Sequence, residues 1–286
     1  MSMTTMDKLD GRGAVVVGGG SGIGRGIALG LAGEGMRVLV ADIDPENARA
    51  VRDDIAGRGG DALSARVDAT DRDSLATLAA GAADDLGDVH VLVNTVGVHT
   101  SAPAAASSEQ VWAWFTEFHL TAAVRVVDAF LPLLRAHDDG AHIVLTSSMA
   151  GLVALPTEQT GGTETGVYTT LKHAVVGYGN MLRHELASDG IGVSVLCPGA
   201  VATNLVTTTA RHRPERFGGP MADPMAGRVL SPGAVPGMLP IEAVGPIVVR
   251  GIRANRAHII THPEMGDVVR AHQQQVLEDF AFFAEK

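Results

Sequence analysis

Tyr168 and Lys172 stand four positions apart in a stretch that also carries Val176, Leu182 and Leu186 at helical spacing. Both polar side chains therefore share one helix face. A free tyrosine ionises near ~10 and is a weak base at neutral pH. A neighbouring ammonium stabilises the phenolate and lowers that value, which makes the pair a usable general acid/base. Upstream, Ser148 closes an apolar run, and its hydroxyl can hold a substrate oxygen beside the phenol. Taken singly, a Tyr–x–x–x–Lys pair is common on amphipathic helices. Its weight here comes from the elements that precede it.

The chain opens with an apolar strand, Ala14 to Val17, followed by Gly18-Gly19-Gly20-Ser21-Gly22-Ile23-Gly24 and then a helical pattern through Ala28, Leu29 and Leu31. Glycine admits dihedrals closed to residues with a Cβ and lets a phosphate approach the main chain. The free N–H groups and positive dipole end of the new helix then form an anion site without a basic side chain. Such turns also occur as hinges. A second strand, Arg37 to Ala41, ends at Asp42, 18 positions beyond Gly24. That is close to the ~20-residue offset at which an acid meets a ribose 2′-hydroxyl. An Asp after a strand also serves as a helix cap, a job for which Asp44-Pro45 is better placed. A carboxylate repels a 2′-phosphate, and Ile43 rather than Arg follows it, so NAD is favoured over NADP. Proton exchange by Tyr168, paired with hydride transfer to a nicotinamide, would interconvert an alcohol and a ketone.

The remaining chain alternates helices and strands. A helix runs from Pro45 to Ala56 and a strand from Ala62 to Val67. Asp68-Ala69 follows, where Asp68 either holds an adenine amino group or braces the turn. Asp71 or Thr70 caps a helix to Leu86. Strand Val89 to Val93 ends in Asn94-Thr95-Val96-Gly97. Ser107-Ser108 caps one long helix through Trp112, Phe115, Val127 and Phe130 to Pro132. Strand Ala141 to Ser148 has a polar end, and Pro156 to Gly166 is loop-like. The Tyr168 helix stops near Gly190, and strand Gly192 to Cys197 ends in Pro198-Gly199. A helix (241–254), a short strand (258–261) and a last helix (265–283) complete the chain. No repeat or linker interrupts it. The reading is α/β: a single Rossmann-like doubly wound domain over 1–286, a seven-stranded parallel sheet with helices on both faces. Residues 204–240, rich in Pro, Gly, Arg and Thr, read as a substrate flap, and 262–286 as a C-terminal helical extension. The polar breaks after the strands all fall on the carboxyl edge of such a sheet, where ligands sit.

A formal net charge of -10 argues against nucleic acid or an anionic membrane as partner. No apolar run approaches the ~20 residues of a membrane span, and the polar stretch Met1 to Asp10 has no signal core. The one cysteine, Cys197, fits a reducing cytoplasm, and the eleven scattered histidines form no metal-ligand pattern.

These residues resemble the short-chain dehydrogenase/reductase family over nearly the whole chain. Val17-Gly18-Gly19-Gly20-Ser21-Gly22-Ile23-Gly24 is similar to its Thr-Gly-x-x-x-Gly-x-Gly turn, and Asn94-Thr95-Val96-Gly97 to its Asn-Asn-Ala-Gly. Tyr168 to Lys172 matches its Tyr-x-x-x-Lys, and Pro198-Gly199-Ala200-Val201-Ala202-Thr203 its Pro-Gly segment. The resemblance implies that Ser148 positions the substrate oxygen, that Tyr168 is the acid/base and that Lys172 lowers its pKa and binds the nicotinamide ribose. It implies that Val201 and Thr203 contact the carboxamide end of the cofactor, and that the chain forms a homo-oligomer, a dimer or tetramer. The expected cofactor set is Gly18, Ser21, Gly22, Ile23, Gly24, Asp42, Ile43, Asp68, Ala69, Asn94, Val96, Gly97, Tyr168, Lys172, Pro198, Gly199, Val201 and Thr203.

Three departures stand out. Val17 replaces the family's Thr and loses a turn-bracing hydroxyl. Where the family has a catalytic Asn that kinks the helix, this chain has His119. It could supply the same backbone carbonyl, add an imidazole to the proton path, or mark lost activity. The Ser148-to-Tyr168 separation of 20 exceeds the family's spacing near ~13, and the extra residues either narrow substrate choice or bulge into solvent. The flap offers Leu205, Val206, Phe217, Met221, Met225, Val229, Leu230 and Met238, whose three methionines either line an adaptable apolar pocket or only pack the flap down. Gly190 to Val195 and Ala210 to Pro214 are similar to the subgroup acting on bulky aryl or alicyclic secondary alcohols. Beside an alcohol/ketone enzyme stand two rivals: an NAD-binding sensor or scaffold without turnover, and a dehydratase or epimerase that retains NAD.

Overall fold

The computed structural model describes residues 6, 8–136, 138–160, 162–223 and 237–284. The strands are β1 (Gly13–Val17), β2 (Arg37–Asp42), β3 (Asp61–Arg66), β4 (Val89–Asn94), β5 (Ala141–Thr146), β6 (Ile191–Cys197) and β7 (His258–Ile260). They form one seven-stranded sheet in the order β3-β2-β1-β4-β5-β6-β7, every pairing parallel. β1, β4 and β6 are buried along their whole length, and among them only β1 is apolar throughout, since β4 and β6 also bury His90, Asn94 and Ser194. The strand order reverses between β1 and β4, so the crevice there opens at their carboxyl ends.

Helices α1 (Gly22–Gly33), α2 (Pro45–Gly57) and α8 (Val244–Arg253) share a core with one face of the sheet. On the other face pack α3 (Arg72–Leu86), α5 (Ala122–Leu134) and α6 (Gly166–Glu185). Asp44 caps α2 by accepting from the Glu46 and Asn47 amides, and Asp71 caps α3 in the same way.

The single helix expected from Ser108 to Pro132 is instead α4 (Glu109–Thr116), a π-helical turn (Glu117–Thr121) and α5. The Ala122 amide bonds the Glu117 carbonyl five residues back, which inserts one residue and bulges the backbone at His119. Pro132 does not end the helix, because only its own N–H is missing and Arg135 still donates to Leu131 at 3.1 Å. Part of the flap is regular too: α7 (Leu205–Arg211) lies within it. Met225, Val229 and Leu230 fall outside the described residues. The last helix, α9 (Gly266–Ala284), has no buried residue, and Leu277, Phe280 and Phe283 are exposed. No described helix is long and apolar enough to cross a membrane.

α1 and α8 touch backbone to backbone. A Cβ on Gly30 would stand 2.6 Å from the Gly245 Cα, and one on Gly26 would stand 2.3 Å from the Ile241 carbonyl oxygen. The contact holds the helix that opens the Gly-rich turn against the sheet. Gly30→Val should therefore pry the helices apart and lower the melting temperature by roughly 3–10 °C in a calorimetric scan. Gly33→Ala, whose Cβ meets nothing within 4 Å, should leave it unchanged or raise it.

Candidate active site

A cleft of about 520 Å³ opens at the carboxyl edge of the sheet. Every residue expected at the site lines it except Asn94. Asn94 is buried behind the cleft wall, where its Oδ1 accepts the Val96 amide at 3.3 Å and braces the loop after β4.

The Gly-rich turn is built for close approach. The Gly18 and Gly19 amides bond the Ala41 carbonyl at 2.8 and 3.0 Å, which pins the turn to the end of β2. Gly18 has φ of 80°, a left-handed conformation open to glycine. A Cβ on Gly24 would stand 2.1 Å from the Gly18 carbonyl oxygen, so the start of α1 rests on the turn itself. Unlike α2 and α3, α1 has no side-chain cap: Ser21 at its N-cap bonds none of its amides. Uncapped first-turn amides facing a cleft fit a phosphate group. The hydroxyl that Val17 lacks comes from elsewhere. Thr95, on the loop after β4, reaches both the Val17 and the Gly18 carbonyl oxygens at 3.0 Å. Two departures from the family motifs therefore compensate one another, which motif matching alone does not reveal.

At the far end, Asp42 receives two amides, Gly20 on Oδ2 at 2.9 Å and Asp44 on Oδ1 at 3.0 Å. Burial pushes its carboxyl above the usual carboxylate range against those two bonds. Asp68 braces its own turn, with Oδ1 accepting both the amide and the hydroxyl of Thr70.

Tyr168 lies on α6 with Ser148 within hydrogen-bonding reach of its phenol. Lys172, one turn on, donates to the Thr146 carbonyl at 3.0 Å, and its Nζ sits 5.4 Å from the Tyr168 ring centroid. The expectation that the ammonium lowers the tyrosine pKa is corrected here. Burial pushes the phenol up to about 12, against a smaller opposing pull from the Ser148 bond. Burial also depresses the lysine to about 7. The ammonium stands over the ring and is tied to Thr146, so the loss of water outweighs the charge. The pair is a protonated phenol beside an amine whose charged form burial disfavours.

Two imidazoles flank the phenol ring edge-on, His99 at 4.7 Å and His119 at 5.4 Å between centroids. His99 lines the cleft and was not legible as a site residue; its spacing two positions beyond Gly97 is the only signal in the sequence. Its amide donates to the Thr209 hydroxyl of α7 at 2.9 Å, which docks the flap on the site. His262 was missed as well. Its Nε2 bonds the Gly237 carbonyl at 3.0 Å, and its Nδ1 accepts the Gly199 amide at 3.1 Å, joining the flap's end to the Pro-Gly segment.

The long Ser148-to-Tyr168 connection does not enter the cleft: no described residue from 149 to 167 lines it. Thr157, Glu158 and Thr163 reach toward solvent to differing degrees. The base of the insertion folds back instead, with Ala102 donating to the Glu164 carbonyl at 2.7 Å and Val167 to the Ala102 carbonyl at 3.1 Å. Among the described residues no group of three or more His, Cys, Asp or Glu could hold a metal ion.

Thr95→Val removes the bracing hydroxyl at constant shape and should weaken dinucleotide binding about tenfold in titration calorimetry. Lys172 is one of three lysines, with Lys8 and Lys286. Its methylated amine should titrate near 7 by NMR.

A family model described as short chain dehydrogenase matches residues 12–214. A probable oxidoreductase, EphD, of Mycobacterium tuberculosis is 32% identical over 199 residues, which are 70% of this chain and 32% of that protein. The chain thus spans about a third of that relative's length. The 1-deoxy-11-beta-hydroxypentalenate dehydrogenase of Streptomyces exfoliatus is 33% identical over 69% of this chain and 70% of its own. The crystal structure of a short-chain dehydrogenase/reductase from Burkholderia phymatum in complex with NAD superposes with a TM-score of 0.83 at 30% identity, covering 96% of this chain and 97% of that one. With that match, the seven-stranded parallel sheet and the Gly-rich cradle at its switch point, this chain belongs to the short-chain dehydrogenase/reductase family of oxidoreductases.

Proposed function

We propose that this protein interconverts a secondary alcohol and a ketone with a nicotinamide dinucleotide, NAD in preference to NADP, and that its substrate is bulky and hydrophobic, aryl or alicyclic. The observation that carries this reading is the convergence of Ser148, Tyr168 and Lys172 on one cleft with the uncapped start of α1. The dinucleotide would be held by the amides of the Gly18–Gly24 turn, by Asp42 and Ile43 at the adenosine end, and by Lys172, Val201 and Thr203 toward the nicotinamide. When bound it supplies the hydride acceptor or donor.

The chain's own residues supply the rest. The Ser148 hydroxyl holds the substrate oxygen against the Tyr168 phenol. That phenol gives its proton to a forming alkoxide in reduction and receives one in oxidation. Lys172, one turn along α6 with its amine depressed by burial, stands beside the tyrosine to orient the cofactor end of the cleft. Leu205, Val206 and Phe118 make an apolar wall along the cleft, which suits a ring-bearing substrate and keeps water from the reacting carbon. The hydroxylated alicyclic named for the Streptomyces relative is consistent with such a wall. The exposed apolar face of α9 supports assembly as a dimer or tetramer.

The test is reduced-cofactor formation, followed by absorbance, against aryl, alicyclic and aliphatic secondary alcohols. Tyr168→Phe should lose at least about a hundredfold in kcat while still binding the dinucleotide. NADH should bind more tightly than NADPH, and Asp42→Ala should narrow that gap. Silence across the whole panel, with dinucleotide binding intact, would favour the sensor. Dinucleotide that survives purification, with no net reduction, would favour the dehydratase or epimerase.

A further inference from the structure

The reaction above leaves one polar group of the cleft unemployed. His99, on the loop after β4, lines the cleft and meets the Tyr168 ring edge-on at 4.7 Å between centroids. Its main chain is fixed, because its amide donates to the Thr209 hydroxyl at 2.9 Å. Its imidazole is not: among the described residues no hydrogen bond reaches either ring nitrogen. Nor are those nitrogens sealed. The buried polar atoms without a partner include Nδ1 of His119, the second imidazole at the phenol, but neither nitrogen of His99. His99 therefore shows the cleft one donor and one acceptor that the protein itself does not use.

The surroundings define what such a group can hold. Burial, and after it the charge of Lys172, lower the His99 pKa, so the ring is neutral at physiological pH. A neutral imidazole gives or takes a hydrogen bond and offers no charge to a carboxylate or phosphate. Leu205, Val206 and Phe118 make the same cleft apolar. A few polar groups in an apolar pocket fix a ligand's orientation. A ring in edge contact with the phenol reaches groups next to the oxygen that Tyr168 and Ser148 hold, not the far end of a substrate.

We propose that His99 is a specificity-determining residue, and that the preferred substrate carries a second, uncharged oxygen on the carbon beside the reacting carbinol. Such a substrate is a vicinal diol, or the hydroxyketone formed from it. The inference deepens the alcohol/ketone reading and rests on it. One ring nitrogen accepts a hydrogen bond from a second hydroxyl, or the other donates to a second carbonyl oxygen. That oxygen is held and left unchanged. Only the carbinol at Tyr168 is oxidised: its C–H hydrogen leaves as hydride to the oxidised dinucleotide, and its O–H proton leaves by way of Tyr168.

Matched pairs of alcohols test the assignment: phenylethane-1,2-diol against 1-phenylethanol, and trans-cyclohexane-1,2-diol against cyclohexanol. The diol of each pair should have the higher kcat/KM, by roughly tenfold or more. His99→Phe keeps a ring against the phenol and removes both nitrogens, and it should bring that ratio close to one. Any general effect of the substitution on turnover cancels in the ratio. His99→Gln, which keeps a donor and an acceptor, should retain most of the preference. No preference in the unsubstituted protein, or a preference that survives in His99→Phe, would overturn the proposal. A second readout needs no turnover. With NADH bound, the diol should shift a ring ¹⁵N resonance of His99 and the mono-alcohol should not; a resonance unmoved by the diol would also overturn it. A panel silent throughout, diols included, would defeat the proposed function, and the resonance would still decide this inference.

Discussion

The site hangs on a contact in which a side chain would not fit. The first turn of α1 lies directly on the Gly18 carbonyl, so closely that a Cβ on Gly24 would stand 2.1 Å from that oxygen. Thr95 then ties the same carbonyl to the loop after β4. Two strands at the switch point, the turn between strand and helix, and the start of the helix become one rigid body. The α1–α8 contact through Gly26, Gly30 and Gly245 holds that body against the sheet from outside. Small residues matter here because main chain must meet main chain. An anion site made of amides works only if those amides cannot move away from their ligand.

Desolvation governs the proton chemistry that this frame positions. The pair on α6 looks, from spacing alone, like a tyrosine acidified by a lysine. Burial reverses that sign, raising the phenol and depressing the amine. The free protein therefore holds a protonated phenol next to an amine that titrates near physiological pH. Buried groups are costly to charge, and burial here disfavours the charged form of each. The two imidazoles on the phenol's edges extend the same logic, since burial holds both below their ordinary range.

The flap closes the arrangement with hydrogen bonds to its two ends. Thr209 receives the His99 amide at one end, and Gly237 receives His262 at the other. Leu239 pairs with the Val201 segment, so the exit of the flap continues the Pro-Gly loop. Arg213 stacks over Trp114, its guanidinium carbon 4.6 Å from the ring, and anchors the segment after α7 on the α4 side of the cleft. Each anchor sits on a strand end or on a helix that already serves the site.

By itself the sequence determined the strands, the doubly wound fold and, of the cleft's lining, the glycine turn with Ser148, Tyr168 and Lys172. Each of these depends on local patterns: apolar runs buried on both faces, glycines after a strand, a polar break at a strand's end. The helix caps at Asp44 and Asp71 were legible for the same reason, because a cap acts within three residues of itself. What only the tertiary structure decided is which atoms meet. Asn94 is engaged by the Val96 amide, Thr95 replaces the hydroxyl that Val17 lacks, and the described residues between Ser148 and Tyr168 do not line the cleft. The π turn at His119 and the signs of the tyrosine and lysine shifts belong to the same class. These depend on how much water the neighbours exclude and on contacts between residues far apart in the chain, which no local pattern encodes.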